Sequence, residues 1–249
     1  MSAEAPAWPS GLGRVVTDTV DSTNRLAQLV LAGNGGRASW VMAGQQTKGR
    51  GRRGRPWSSP RGNFYGTLAM RLEDPPAKRA LRSFVAALAL RDALADLTGA
   101  GAGLRLKWPN DVLLNGGKVA GILLENAGDV LCVGIGVNLI AGPDDLLVEP
   151  GAVAPVTVLA ETGQRLSPET LLNHLAPAFA RWDAMLNAAG FAPLRKEFLA
   201  HAARLGQQIT ARTGSQIRQG RYDGLDENGA LILTTSQGQE IIPAAEVFF

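Results

Sequence analysis

The sequence predicts an α+β fold: a large domain over residues 14–205 behind a short tail (1–13), then a small all-β unit over residues 206–249. Three observations carry this. Long helical patterns alternate with short apolar strand runs as far as Ala203. The strand runs between Leu104 and Val137 follow one another across short turns, as adjacent antiparallel strands do. From about Gly206 helical periods vanish, and short alternating stretches separated by Gly or Asn turns replace them.

Taken in order, Arg14 to Asp18 reads as a strand, and Asp21-Ser22-Thr23-Asn24 opens a helix with Ser or Thr as cap and Gly33 past its end. Ser39 to Gln45 is a strand. Asn63 to Leu72 alternates Phe64, Leu68, Met70 and Leu72 against Tyr65, Thr67 and Arg71, a half-buried strand. Lys78 to Leu97 is a long helix whose core stripe is Phe84, Ala87, Leu90, Leu94 and Leu97. Leu104 to Lys107, Val112 to Leu114, Lys118 to Glu125 and Asp129 to Val137 are strands, nearly all apolar, so both their faces are covered. Gly142 to Glu161 reads as irregular. Ser167 caps a helix with Pro168 at its first position, and Leu172, Leu175, Phe179, Trp182 and Leu186 line its buried stripe. Phe191 to Ala203 forms one more helix. The last 44 or so residues hold four or five short strands, a barrel too small to stand confidently alone, so it docks on the large domain.

Composition narrows the chemistry. Apolar residues make up 45%, enough for a sizeable core, and the net charge of +3 is too mild to argue for nucleic acid. Only five of the 25 cationic residues are Lys, and three of them, Lys48, Lys107 and Lys118, fall in or near the motifs below. The single Cys132 lies in an apolar run and reads as a small buried hydrophobe. His174, on the polar side of its helix, reads as a surface residue and shares no ligand spacing with His201, so no fixed metal site is expected. No signal peptide or span of membrane length is visible, and a cytoplasmic protein that binds no membrane is the default. Gly99 to Gly103 follows a helix, not a strand, and is no dinucleotide fingerprint; Gly117-Lys118 lacks the glycine and hydroxyl of a P-loop.

Between Gly49 and Arg55 every residue is glycine or arginine. Glycine lets backbone N–H groups approach a ligand, and arginine offers a planar fork for carboxylate and phosphate. The stretch is a clamp for small anions, a flexible basic tail, or a segment that holds single-stranded nucleic acid by charge and stacking. Two further motifs stand downstream: Lys107-Trp108-Pro109-Asn110-Asp111, and Gly117 to Glu125 with Lys118 at a strand start. With Asp21-Ser22-Thr23-Asn24 and Gly134-Ile135-Gly136-Val137-Asn138 they stand in an order that closely resembles the biotin–protein ligase family, from about residue 12 to the C-terminus.

The resemblance implies a catalytic domain like those of class II aminoacyl-tRNA synthetases, a mixed and largely antiparallel sheet with flanking helices, and a C-terminal SH3-like barrel. It implies an ATP-dependent ligase that forms biotinyl-5′-AMP from biotin and Mg-ATP. Biotin then passes to a lysine on the biotin carboxyl carrier domain of acetyl-CoA carboxylase or a similar carboxylase. The resemblance assigns catalysis to Lys118, Arg52 and Asp111. Biotin falls to Ser22, Thr23, Asn24, Gln46, Gly49, Arg50, Lys118 and Gly121. The nucleotide falls to Arg50, Arg52, Arg55, Trp57, Lys107, Asn110 and Asn138, with Trp57 on the adenine. Arg52 is expected to pair with Asp111, and Asp111 is also a candidate base for the carrier lysine. Mg²⁺ comes with ATP. Some relatives carry an N-terminal helix-turn-helix domain, for which hardly a dozen residues are available, so a monofunctional ligase that binds no nucleic acid is expected. Dimers are common in the family, so a homodimer is compatible with the sequence. The rivals are a lipoate or octanoyl ligase or transferase of the same superfamily and a nucleic-acid-binding module. The Gly/Arg loop is expected to be pliable when empty and to order on an anion.

Overall fold

The computed structural model describes residues 6–143, 151–214 and 216–249. The irregular stretch expected at 142–161 therefore falls partly outside the described residues, and its described end forms a short helix, Val158–Thr162, capped by Thr157.

A seven-stranded mixed sheet organises the larger part. β1 (Gly13–Val20) and β2 (Ser39–Gln46) are parallel, as the crossover through α1 (Thr23–Gly33) requires. β3 (Phe64–Arg71), β4 (Leu104–Lys107), β5 (Asp111–Leu114), β6 (Gly117–Ala127) and β7 (Val130–Val137) complete it, antiparallel, in the order 1-2-3-7-6-5-4. Ser22 sits at the N-cap of α1, but its side chain makes no capping bond, and Gly33 is the last helical residue, with Asn34 as the C-cap.

One face of the sheet is covered by long helices. The helix expected at 78–97 is two pieces, α2 (Pro76–Ala80) and α3 (Arg82–Thr98). Within α2 Arg79 is buried and donates to the carbonyls of Leu72, Asp74 and Gly128, tying this short helix to the end of β3 before the chain restarts after Leu81. A further helix of five residues, α4, is the Val158–Thr162 turn already described. α5 (Pro168–Ala189) packs beside α3, and Trp40 of β2 meets Phe179 edge-on at 6.0 Å. Full burial of such side chains contributes roughly 2 kcal/mol each. His174, expected at the surface, is only 8% exposed: the buried side of α5 is wider than a single stripe and takes in Leu171, His174 and Ala178 as well. α6 (Phe191–Ala200) is shorter than expected, because residues 201–203 turn to pair with Leu106 at the sheet edge. Among the described residues no helix is long and apolar enough to cross a membrane.

β3 is not half-buried. Only Arg71 is exposed, because α1 covers the second face, resting Ala27 and Leu31 on Val41, Ala69 and Cys132. The remainder of that face, over β6 and β7, is left open by α1.

The C-terminal unit is five antiparallel strands in the order 11-10-9-8-12: β8 (Gln208–Thr213), β9 (Gln216–Leu225), β10 (Leu231–Thr235), β11 (Gly238–Ile242) and β12 (Glu246–Phe248). Its Ile209, Tyr222, Leu225 and Leu231 belong to the same apolar cluster as Phe84 and Phe198. Trp108, buried, donates Nε1–H to the carbonyl of Gly229 at 2.9 Å, so the Trp-Pro step shapes the strand exit and also docks the barrel.

Candidate active site

The open half of the sheet face is the floor of a cavity of about 300 Å³. Side chains alternate along a strand, so on β7 Cys132, Gly134 and Gly136 share one face, with Asn138 just past the strand's end, and opposite the three on β6 stand Glu125, Leu123 and Gly121. Cys132 lies under α1, fully buried, and burial pushes its thiol up to about 11. Further along, glycine is required by close approach. A Cβ on Gly134 would stand 2.4 Å from Asn24 Oδ1, and one on Gly136 would stand 2.6 Å from the Trp57 indole. The spacing of Gly134-Ile135-Gly136-Val137-Asn138 is thus the footprint of what lies on the floor.

At one end the cavity is polar and neutral. Ser22, Thr23 and Asn24, at the start of α1, are each 5% exposed or less. Gln46 Oε1 accepts from Thr23 N at 2.8 Å and Thr23 Oγ1 at 3.0 Å. Thr67 Oγ1 lies 2.6 Å from Asn24 Oδ1, which only accepts, so the hydroxyl donates there. Gln46 Nε2 reaches Ser59 Oγ, which donates to the Trp57 carbonyl, and this carries the network to the far side of the loop.

The other end is cationic. Lys118 Nζ lies 2.8 Å from Asp111 Oδ1, and Lys107 Nζ donates to Asp111 Oδ2 at 3.3 Å. Burial would raise the Asp111 carboxyl, but the Lys118 and Lys107 ammoniums outweigh it and hold it below the ordinary carboxylate range. Burial lowers Lys107, with Asp111 opposing. The backbone of Lys118 is fixed from both sides, its N–H to Ala154 O and its carbonyl to Val156 N. Its ammonium lies 5.6 Å from the Trp57 ring centroid. Trp57 Nε1 is buried with no partner among the described residues, a state that costs about 1–3 kcal/mol unless a ligand accepts the proton.

Residues 49–57 form a closed hairpin. Gly51 N–H bonds Arg55 O, Trp57 N–H bonds Gly49 O, and Arg53 and Gly54 take the left-handed conformation at the tip. Its arginines reach in three directions. Arg50 grips Glu125 through Nε and Nη2 at 3.0 and 3.2 Å. Arg52 donates to Asn110 Oδ1 at 3.2 Å and Ala245 O at 3.3 Å. Arg53 and Arg55 both pair with Glu246 at the start of β12, as does Arg212.

The expected pairing of Arg52 with Asp111 is therefore corrected. Asp111 is occupied by two lysines, and Arg52 meets the neighbouring Asn110, which is itself clamped to β6 through Ile122. Ser22, Thr23, Asn24, Gln46, Arg50, Arg52, Arg55, Trp57, Lys107, Asn110, Asp111, Lys118, Gly121 and Asn138 all line the one cavity. Gly49 does not. It closes the neck of the hairpin, where a Cβ would stand 2.7 Å from Trp57 O and Ser59 Oγ. Sequence reasoning missed the barrel's contribution: Glu246, Val247 and Phe248 form part of the wall, and the Phe249 ring lies 5.8 Å from Lys107 Nζ. No motif marked them. Lys48 is exposed. Among the described residues no group of three or more His, Cys, Asp or Glu is placed to hold a metal ion.

A model of the Biotin/lipoate A/B protein ligase family matches residues 16–139, and one of the Biotin protein ligase C terminal domain matches residues 205–249. The chain is 56% identical to a biotin--[acetyl-CoA-carboxylase] ligase of Paracoccus denitrificans, over 92% of this chain and 97% of the relative. It is 30% identical to the ligase of that name from Mycobacterium tuberculosis, over 83% and 77% of the two chains. Among solved structures it is similar to the biotin protein ligase of Aquifex aeolicus in complex with biotin and ATP. That likeness has a TM-score of 0.80 at 26% identity and covers 94% and 97% of the two chains. The ligase of Leishmania major in complex with biotinyl-5-AMP matches with a TM-score of 0.66 at 25% identity, covering 93% and 99%. By sequence over nearly its whole length and by fold, this chain belongs to the biotin–protein ligase family.

Proposed function

We propose that the cavity holds biotin and ATP end to end and joins them. The protein is a biotin–protein ligase, an ATP-dependent enzyme. The observation that carries the reading is the division of one cavity into a neutral hydrogen-bonding end, at Ser22, Thr23 and Gln46, and a cationic end, at Lys118, Lys107 and Arg52. Biotin fits that division: a neutral ureido ring wants oriented polar groups, and its carboxylate must be brought against a polyphosphate.

In the first step a biotin carboxylate oxygen bonds to the α-phosphorus, the bond to the β-phosphate oxygen breaks, and pyrophosphate leaves. Each like-charge pair at ~4 Å costs about 4 kcal/mol at an effective dielectric near 20. Lys118 meets this as a compact charge at the carboxylate, with Arg52 and Lys107 toward the phosphate. Trp57, lying over Gly136 and Gly121, supplies a flat wall and, between the two ends, an N–H that has no partner among the described residues. In the second step the neutral amine of the carrier lysine bonds to the acyl carbon, the bond from that carbon to the AMP phosphate oxygen breaks, AMP leaves, and the amine's surplus proton passes to solvent. A carboxylate held low by two ammoniums is a poor base, so Asp111 serves to position Lys118 and Lys107. Mg²⁺ travels with the nucleotide, since Asp111 and Glu246 in the wall already take cations. The acceptor is the carrier domain of acetyl-CoA carboxylase or a similar carboxylase, the substrate that the Paracoccus relative's name carries.

Biotin-dependent exchange of pyrophosphate into ATP tests the first step, and a streptavidin blot after incubation with a carrier domain tests the second. Exchange driven by lipoate but not biotin would overturn the assignment.

Two further outcomes are expected. Arg52→Gly removes the bonds that tie the hairpin to Asn110 and to the barrel. Biotinyl-AMP should escape, and labelling of bystander lysines should rise by about tenfold, the scale of one lost charge-assisted hydrogen bond. Strict carrier selectivity in that variant would refute the role. Trypsin cleavage within 49–55 should slow when biotin and ATP are added together, because a bound anion adds to the partners that the hairpin's arginines already have in Glu125, Asn110 and Glu246. Equal rates with and without ligand would end the gating idea and leave the ligase assignment standing.

A further inference from the structure

Glu125 does not line the cavity, yet it touches both of the parts that do. Its Oε2 accepts from Asn24 Nδ2 at 2.7 Å and from Arg50 Nη2 at 3.2 Å, and its Oε1 accepts from Arg50 Nε at 3.0 Å. The position is set by sheet register. Glu125 stands opposite Cys132, so its side chain rises on the same face as Gly134 and Gly136, one step beyond the cavity floor. Asn24 cannot shift without the carboxylate feeling it. The asparagine is 4% exposed, seated on Gly134 and held by Thr67. Arg50 is the first arginine of the hairpin, next to its neck at Gly49 and Trp57.

We propose that Glu125 is a positioning residue that couples occupancy of the neutral end of the cavity to the Gly/Arg hairpin. The inference rests on the ligase reading, in which Asn24 borders biotin's ring and Arg50 its acyl side. Glu125 is not a base, because it does not face the cavity, and both of its oxygens are engaged. Nor is the Arg50 pair there chiefly for stability: the two side chains are 43% and 26% exposed, and pairs so wetted contribute little. What distinguishes it is the shared oxygen. One carboxylate has a nearly buried amide on one side and the hairpin's cation on the other, so a shift at Asn24 redirects Arg50. When the ring seats Asn24, Glu125 holds Arg50, and with it the hairpin, over the acyl chain.

The test is the Michaelis constant for biotin, and kcat, in pyrophosphate exchange. It compares wild type, Glu125→Gln, and the single and double variants Asn24→Ala and Arg50→Ala, each made both in the wild-type background and in the Glu125→Gln background. Glu125→Gln keeps the shape and removes the charge. It should raise the biotin KM about tenfold while kcat changes by less than about twofold. In the wild-type background, the KM effects of Asn24→Ala and Arg50→Ala should combine to less than their product; in the Glu125→Gln background they should multiply. A residue that merely supported the sheet would not change that pattern. An unchanged KM in Glu125→Gln, or simple multiplication in both backgrounds, overturns the proposal. If Glu125→Gln does not fold, Glu125→Asp, which keeps the charge and shortens the reach, carries the same comparison. Absence of biotin-dependent exchange in the wild type would instead overturn the ligase reading itself, and is seen before any variant is made.

Discussion

Replacing Lys118 with alanine will slow single-turnover formation of biotinyl-AMP by about a thousandfold, near the upper end of what one preorganised charge contributes at a reacting oxyanion. The geometry concentrates the effect in this one ammonium. It stands at the start of β6 with its backbone pinned on both sides, 2.8 Å from Asp111 and over the Trp57 ring, so little motion is needed to meet a carboxylate there. The neighbouring Lys107 cannot replace it, being held on the other Asp111 oxygen and packed beneath Phe249. Lys118→Arg will recover only part of the rate, because a broad guanidinium does not place its charge at the same point. Rapid-quench measurement of the adenylate checks both variants. Transfer from preformed biotinyl-AMP should suffer less, since the charge being offset in the first step is already neutralised in the mixed anhydride. Near-normal adenylate formation by Lys118→Ala would remove the lysine from the mechanism.

The cavity's chemistry was legible in the sequence where it is written on adjacent strands. Lys107, Asn110, Asp111, Lys118 and Gly121 lie within fifteen residues across two hairpins, and antiparallel pairing brings such residues together whatever the rest of the chain does. The glycines of 134–138 were visible as a motif, but their reason was not, because it lies in the Asn24 and Trp57 side chains that rest on them. What could not be read depends on the register of distant segments. Glu125 stands in the sequence only as the end of the motif from Gly117 to Glu125; that its carboxylate takes both Arg50 and Asn24 follows only once β6 and β7 are aligned residue by residue. The exchange of Asp111 for Asn110 as the partner of Arg52 is a difference of one residue at a strand entrance, finer than any spacing argument resolves. Glu246 gathers Arg53 and Arg55 of the hairpin and Arg212 of the barrel, a meeting set by how the barrel docks through Trp108 and Gly229. His174 and β3 were misjudged for a related reason: an amphipathic pattern shows the first face to be buried and is silent about a second layer, here the broad side of α5 and the helix α1.

Asp111→Asn should damage stability as well as activity. Asp111 is 8% exposed and is the anion between Lys107 and Lys118. Removing one member of a buried ion cluster costs about 3–5 kcal/mol, because the remaining charges are left uncompensated. At about 2–4 °C per kcal/mol for a chain of this size, the melting temperature should fall by roughly 10 °C. Adenylation should fall by at least about a hundredfold as Lys118 loses its anchor. The pH dependence follows from the direction of the shifts. The folded Asp111 carboxyl lies below its ordinary value of 3.8, so its contribution is complete above that value and is lost as pH falls through the depressed one. The stability gap between wild type and Asp111→Asn should therefore be flat around neutrality and close in acid. On the alkaline side the gap should narrow again. Burial already lowers Lys107, and without the carboxylate it is lowered further, so the variant gains stability as its buried ammonium deprotonates on the way to the ordinary lysine value of 10.5. Thermal melts of the two proteins from acid to alkaline pH decide it. A gap that instead widened in acid would mean that Asp111 is protonated at neutrality in the native protein, and would return it to the role of an acid or base.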